Sequence, residues 1–450
     1  MSRRKKGFFL HRAVVVLSVI SSVASVGSSV FSTEFESAHV SSSSMSSALV
    51  QPSNTTQPPA APQSSIAELE ALALANHPAI QAYEQKIQAL NGIWLQEGLG
   101  PNPEIEYSGE DMSSGSAGSQ GIHFSQEIVT GGKLARAQDV VCHEIQTMKH
   151  AREVVVFRVK TDVRVAAFAY IAAQRKMALM QDIVKTNEQI YSLTKSLYES
   201  GSTNRLDLLN VSMEMEKSKR ELTNLGSDLE AAWRNLACVV GDPNLSPAWL
   251  ADSLDCTPQV DSWGYYQNIL EQTSPEIARA QAQVAQAKKK LELECAKNSS
   301  NFTISGGVAY AAEEHRTEAS VGVSIPLRIR DRNQGNIAAA RSEIVAAQKD
   351  YERTLLEVRQ RLADTYNNFK KAAEDVTHYR TYLLPQARES LELAQKGYQQ
   401  GELTYLDWLN AQQNYTELNI AYLERMCDYW TFKSLLEGKL LSGGLEDSPL

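Results

Sequence analysis

Few residues in this sequence invite a chemical reading. Cys142, His143 and His150 are metal-ligand types lying close together, and such a set would suit a borderline-soft divalent ion. Their spacing argues against it. Cys142 and His143 are adjacent, so their side chains diverge on a helix, and His150 lies two turns, about 10 Å, beyond His143. The five cysteines (Cys142, Cys238, Cys256, Cys295 and Cys427) are odd in number and contain no CxxC pair, which points to neither a zinc motif nor a disulfide scaffold. Four of them fall in helical patterns, where a small buried side chain is the expected role. The chain has no phosphate-binding loop, no nucleophile elbow and no HExxH. The sequence therefore predicts no catalytic residue, no metal site, no cofactor and no enzyme. What remains is a pair of acids, Asp207 and Asp407, set in two copies of one motif.

That motif reads YESGSTNRLDLLN from Tyr198 and YQQGELTYLDWLN from Tyr398. Tyr198, Gly201, Leu206, Asp207, Leu209 and Asn210 of the first copy recur as Tyr398, Gly401, Leu406, Asp407, Leu409 and Asn410 of the second. Six in-register identities are unlike chance, and an internal repeat governs any reading of the fold. The correspondence extends upstream, where HPAIQAYEQKIQA from His77 answers SPEIARAQAQVAQA from Ser274. In each, Pro opens a helical pattern, as its missing N–H permits.

The elements that would position the motif are long helices. Neither Gly nor Pro interrupts the chain between Gly132 and Gly201, and Val159, Val163, Ala166, Tyr170, Ala173, Met177, Met180 and Val184 recur in steps of four and three. That is a heptad seam. Tyr351, Leu355, Val358, Leu362, Tyr366, Phe369, Ala373 and Val376 form a second seam, with Pro385 the only breaker before Gly397. Some 65 helical residues make a rod on the order of 100 Å long. Gly201 and Gly401 supply the left-handed residue that ends each rod, and Thr203 or Asn204, and Thr404, can cap the returning helix.

Before each rod lies an alternating stretch. Phe302, Ile304, Val308 and Tyr310 interleave with Thr303, Ser305, Gly307 and Ala309, and Ala319, Val321, Val323 and Ile325 interleave with small or polar residues. Ile105 and Tyr107, then Ile122 and Phe124, give a weaker parallel in the first half. One apolar and one polar face over about ten residues is the pattern of a membrane barrel strand. Four strands cannot close a barrel, and open edges are not tolerated in lipid, so several subunits must share one.

The N-terminus carries Arg3, Arg4, Lys5 and Lys6, then an apolar run from Ala13 to Ile20, then small residues near Ala24. This is the order of a secretory signal peptide, assigned to 1–25. Residues 26–65 form a Ser/Pro-rich leader, too poor in large apolar side chains to repay ordering. The rest divides into a first repeat (66–258), a second repeat (259–441) and a flexible tail (442–450). The formal charge of −9, more negative once the basic signal peptide is gone, argues against a nucleic-acid partner.

Taken together, the two tips, the LLPQA segment at Leu383 and the paired helix starts at Pro78 and Pro275 resemble the TolC family of outer-membrane efflux proteins from Ile66 to about Leu441. FSQEIVTGGKLARAQ from Phe124 and VSIPLRIRDRNQGNIAAAR from Val323 are similar to its heavy-metal (cobalt-zinc-cadmium) branch. The resemblance implies a mainly α fold with a small membrane β part. Duplicated coiled-coil hairpins would form a periplasmic α-barrel, and four strands per subunit a trimeric twelve-stranded outer-membrane β-barrel. It implies a homotrimer embedded in outer-membrane lipid, whose tips meet a periplasmic adaptor protein and an inner-membrane pump, passing solutes as a passive exit duct. Tyr198, Gly201, Leu206, Asp207, Leu209, Asn210, Tyr398, Gly401, Leu406 and Leu409 would then belong to the tip and its adaptor docking surface. Asp407 would match the acidic gate position, with Asn410 one turn further on. The competing class is the periplasmic adaptor itself, which would show one helical hairpin between two halves of a β-rich module.

Overall fold

The structure, a computed structural model, describes residues 63–112, 118–312 and 314–445. The expected signal peptide and the leader as far as residue 62 lie outside the described residues. The leader's last residues do not behave as a leader. Gln63–Ser64 (β1) pairs in parallel with Trp249–Leu250, and Ser65 closes a capping box with Glu68 over helix α1, Ile66–Asn76, satisfying two of the end's free N–H groups.

Helix α2 runs Pro78–Glu97, opened by Pro78. Strands β2 (Glu104–Glu110) and β3 (Ser119–Ile128) follow, then α3, one unbroken helix over Lys133–Glu199. Its 67 residues make a rod of roughly 100 Å. Helix α4 (Arg205–Val240) returns alongside it, and β4 (Trp249–Leu250) leads into the second repeat. There α5 (Trp263–Thr273), α6 (Pro275–Lys297), β5 (Phe302–Ala311) and β6 (Arg316–Ser324) repeat the order. Helix α7 (Gln334–His378), a π-helical turn over Tyr379–Leu383, α8 (Leu384–Gln400) and α9 (Tyr405–Glu437) complete the chain.

In the order of helices, two features differ from the sequence reading. Each repeat opens with an extra eleven-residue helix, α1 or α5, and the second rod is not a plain α-helix. Pro385 lacks an N–H and its ring crowds the carbonyl one turn back. The helix passes this point by widening, with Leu384 N–H donating five residues back to the Tyr379 carbonyl.

The strands form one antiparallel sheet in the order β2-β3-β5-β6. Its register aligns Tyr107 with Ile122 and Ile122 with Val308, all exposed on one face. On the other face Glu106 stands opposite His123, His123 opposite Gly307, and Gly307 opposite Ser320. Strands β2 and β6 are the edges.

The main core gathers where α1, α3, α7 and α9 meet. Phe168 stacks on Trp430 at 4.6 Å and Phe369 on Tyr429 at 5.2 Å. The seam residues Val159, Val163, Ala166, Tyr170, Val358, Leu362, Phe369 and Val376 are buried there. Arg164 holds both Glu70 (2.5 Å) and Glu437 (3.0 Å), tying the first helix to the last. The start of the expected flexible tail is also fixed, since Gly443 and Gly444 N–H donate to the Asp162 carboxylate at 3.1 and 2.5 Å. The cysteines depart from expectation as well. Cys142, Cys238 and Cys295 are exposed on this chain, and only Cys256 and Cys427 are half-buried, because the seams take the buried positions.

Candidate functional site

The two motif copies sit at the far end of the rods from the sheet, as the two turns α3–α4 and α8–α9. Gly201 and Gly401 both have φ of +76°, the left-handed region that glycine enters without penalty. A Cβ at either would meet open space, so only the backbone demands glycine there. Asn204 caps α4, accepting from Asp207 N–H at 2.8 Å, while the Thr203 hydroxyl donates to Asp207 at 2.9 Å. Thr404 caps α9 in a capping box whose other half is Asp407.

Asp407 accepts from Thr404 N–H at 3.0 Å and from the Thr404 hydroxyl at 2.6 Å. These bonds hold its carboxyl below the usual aspartate range, the hydroxyl bond first and the backbone bond second. Asp407 and Asn410 are exposed. The carboxylate thus caps its helix and still presents its charge to water.

The repeats are not used alike. Tyr198 is 40% exposed and Tyr398 only 9%. In the second tip Tyr398, Tyr405 and Trp408 pack ring against ring, with centroids 5.7 to 6.3 Å apart, and close over Ile190 and Val211 of the first hairpin. The equivalent positions of the first tip hold Tyr198, Arg205 and Leu208, which cannot build such a cluster. Tyr398 therefore belongs to the contact between hairpins and not to an outward docking surface. Leu206, Leu209 and Leu406 do point out and are exposed, whereas Leu409 is half-buried against the cluster. Asp207 and Asn210 are half-buried.

A polar ladder that the sequence reading missed links the hairpins. Thr194 and Tyr398 share a hydrogen bond of 2.8 Å. One rung higher, Gln412 donates to Asn187 at 2.7 Å, and Asn187 donates to Ser218 at 3.1 Å. All five side chains are buried. The signal was in the sequence: the seam of α3 continues beyond Val184 as Asn187, Tyr191 and Thr194, with polar residues at positions that normally take apolar ones. Three buried polar atoms at this end, Tyr405 OH, Trp408 Nε1 and Gln412 Oε1, have no partner among the described residues. Burial pushes the Tyr405 phenol well above its ordinary range.

His143 and His150, the metal candidates of the sequence, sit half-buried on α3, and His150 Nδ1 lies 2.9 Å from Glu153. Among the described residues no three His, Cys, Asp or Glu side chains form a metal-holding group. No helix among them is long and apolar enough to cross a membrane.

Comparison with known proteins adds a family. A model of the outer membrane efflux protein family matches residues 69–242 and 266–426, one stretch in each repeat. The chain is 24% identical to the cobalt-zinc-cadmium resistance protein CzcC of Cupriavidus metallidurans, over 76% of this chain and 82% of that protein. It is 22% identical to the pyoverdine export outer membrane protein OpmQ of Pseudomonas aeruginosa, over 68% and 67%. Among solved structures, CusC superposes with a TM-score of 0.68 at 18% identity, covering 84% of this chain and 92% of that one. The open state of the Neisseria gonorrhoeae MtrE outer membrane channel gives 0.68 at 17%, covering 84% and 89%.

Proposed function

The chain belongs to the outer membrane efflux protein family, and from that premise we propose that it is the exit duct of a tripartite efflux system, working as a homotrimer without catalysing a reaction. The observation that carries this reading is the sheet. Its Tyr107, Ile122 and Val308 face is apolar yet exposed, its other face is polar, and its two edges are unpaired among the described residues. In hydrocarbon such edges are untenable. Joining β6 of one copy to β2 of the next, three times, closes a twelve-stranded barrel with the apolar face toward lipid.

The remaining assignments rest on the sequence and on the family resemblance. Residues 1–25 are an export signal and the segment after them a leader, and the repeats 66–258 and 259–441 supply paired hairpins to a periplasmic tunnel. Exposed Leu206, Leu209 and Leu406 meet the adaptor, which couples the duct to an inner-membrane pump. Asp407, with Asn410 beside it, faces the axis at the constriction, where three carboxylates favour cations. The name of the CzcC relative supports heavy-metal cations as cargo. The adaptor class is set aside by the two hairpins and the family match.

Fractionation tests the reading. The mature protein should appear in outer membranes as a trimer that resists dissociation in detergent until heated; a soluble monomer would contradict it.

A further inference from the structure

We propose that the linker between β6 and α7, residues 325–332, is a phospholipid anchor, seating apolar side chains in the periplasmic leaflet and binding lipid phosphates through Arg330 and Arg332. The inference rests on the barrel reading and goes beyond it to the lipid contacted.

The linker reads IPLRIRDR. Leu327 is 80% and Ile329 73% exposed, unusual values for large apolar side chains. They continue, past Ile325, the exposed stripe of Val321 and Val323 on β6, so the lipid-facing surface does not stop where the strand does. The basic residues Arg328, Arg330 and Arg332 interleave with them.

The linker is pinned, so this exposure is presented by design of the backbone. Pro326 carbonyl accepts from the Ser300 hydroxyl at 2.8 Å, and Arg328 donates to the Ser299 carbonyl at 2.6 Å. At the other end Asn333, with φ of +59°, donates to the Glu294 carbonyl at 2.8 Å. Between these anchors a tight turn, Ile329 N–H to Leu327 carbonyl at 3.1 Å, throws both apolar side chains outward. The matching linker of the first repeat behaves differently. Its Thr130 hydroxyl donates to the Ser300 carbonyl at 2.5 Å and a Cβ on Gly131 would collide with Ser299, so it lies flat against the same base.

Of the three arginines, Arg328 is spent inward on Ser299, while Arg330 and Arg332 are exposed. Asp331 turns its carboxylate to Asn333 N–H at 2.9 Å. Apolar side chains at the hydrocarbon edge, with guanidinium groups one residue away at headgroup depth, fit an anionic phospholipid.

The test is native mass spectrometry of the purified full chain, wild type and Arg330→Gln/Arg332→Gln, reconstituted in vesicles of phosphatidylethanolamine with phosphatidylglycerol. Each arginine near an anionic surface is worth several-fold in binding, so the double variant should retain phosphatidylglycerol on the order of 10- to 30-fold more weakly, as an intact trimer. A control pair on the exposed tip helix, Arg388→Gln with Lys396→Gln, should retain it like wild type. Equal retention by all three proteins overturns the anchor. So does collapse of the double variant to monomers, which would make the linker a seam between subunits. Failure of wild type to insert in the vesicles would instead remove the channel reading on which the anchor stands.

Discussion

The Tyr398 hydroxyl lies 2.8 Å from Thr194 Oγ1, both buried, and joins the second hairpin to the first at the tip. Breaking this bond strands a buried hydroxyl, which costs about 1–3 kcal/mol. Tyr398→Phe should therefore loosen the contact between hairpins while leaving the distant barrel assembled. Single-channel recordings should show a higher open probability; an unchanged value would make the bond irrelevant to closure.

Tyr405 offers the opposite case. Its hydroxyl is buried without a partner among the described residues, so Tyr405→Phe removes a desolvated group at nearly constant shape. The variant should hold the hairpins together more firmly, by about 1 kcal/mol or more, and open less often. Opening equal to or above that of wild type would show that the hydroxyl finds a partner in the assembled protein.

Asp407 is predicted to carry the cation preference of the constriction. Asp407→Asn should lower cation selectivity and relieve block by multivalent cations, without loss of trimers. The pH dependence has a definite sign. Bonds from Thr404 depress the carboxyl below its ordinary 3.8 within the subunit, so its capping contribution is fully present above that value and is lost as pH falls through the lower, folded value. Three carboxylates around one axis raise each other's pKa, so selectivity should fade at a higher pH than the cap. Selectivity with the same pH dependence in Asp407→Asn as in wild type would point to another group.

At Gly201 and Gly401 the strain of a β-branched side chain at φ of +76° should be on the order of 1–2 kcal/mol. Nothing stands where a Cβ would go, so Gly201→Val and Gly401→Val should fold and insert yet dock poorly. Reduced crosslinking to the adaptor and reduced export are the readouts. Full crosslinking by both variants would detach the tips from docking.

Much of this was legible in the sequence because periodicity is a local property. The heptad run from Val159 to Val184 announced α3, and alternation around Ile304 and Val321 announced two strands. The repeated Tyr, Gly and Asp located both tips. What was not legible depends on partners far away in the chain. Tyr198 and Tyr398 hold the same position in two copies of the motif, and the second is buried by packing with Tyr405 and Trp408 over Ile190 and Val211 of the other hairpin. The pairings of Thr194 with Tyr398 and of Asn187 with Gln412 likewise arise when two hairpins meet. The π-helical turn before Pro385 was hidden because proline signals an interruption without saying whether the helix stops or widens.

The most direct measurement is conductance of the purified mature protein in a planar lipid bilayer. Trimers should insert stepwise and pass current with a preference for cations, a preference diminished in Asp407→Asn. A detergent-solubilised protein that remained monomeric and produced no conductance steps at any concentration would contradict it.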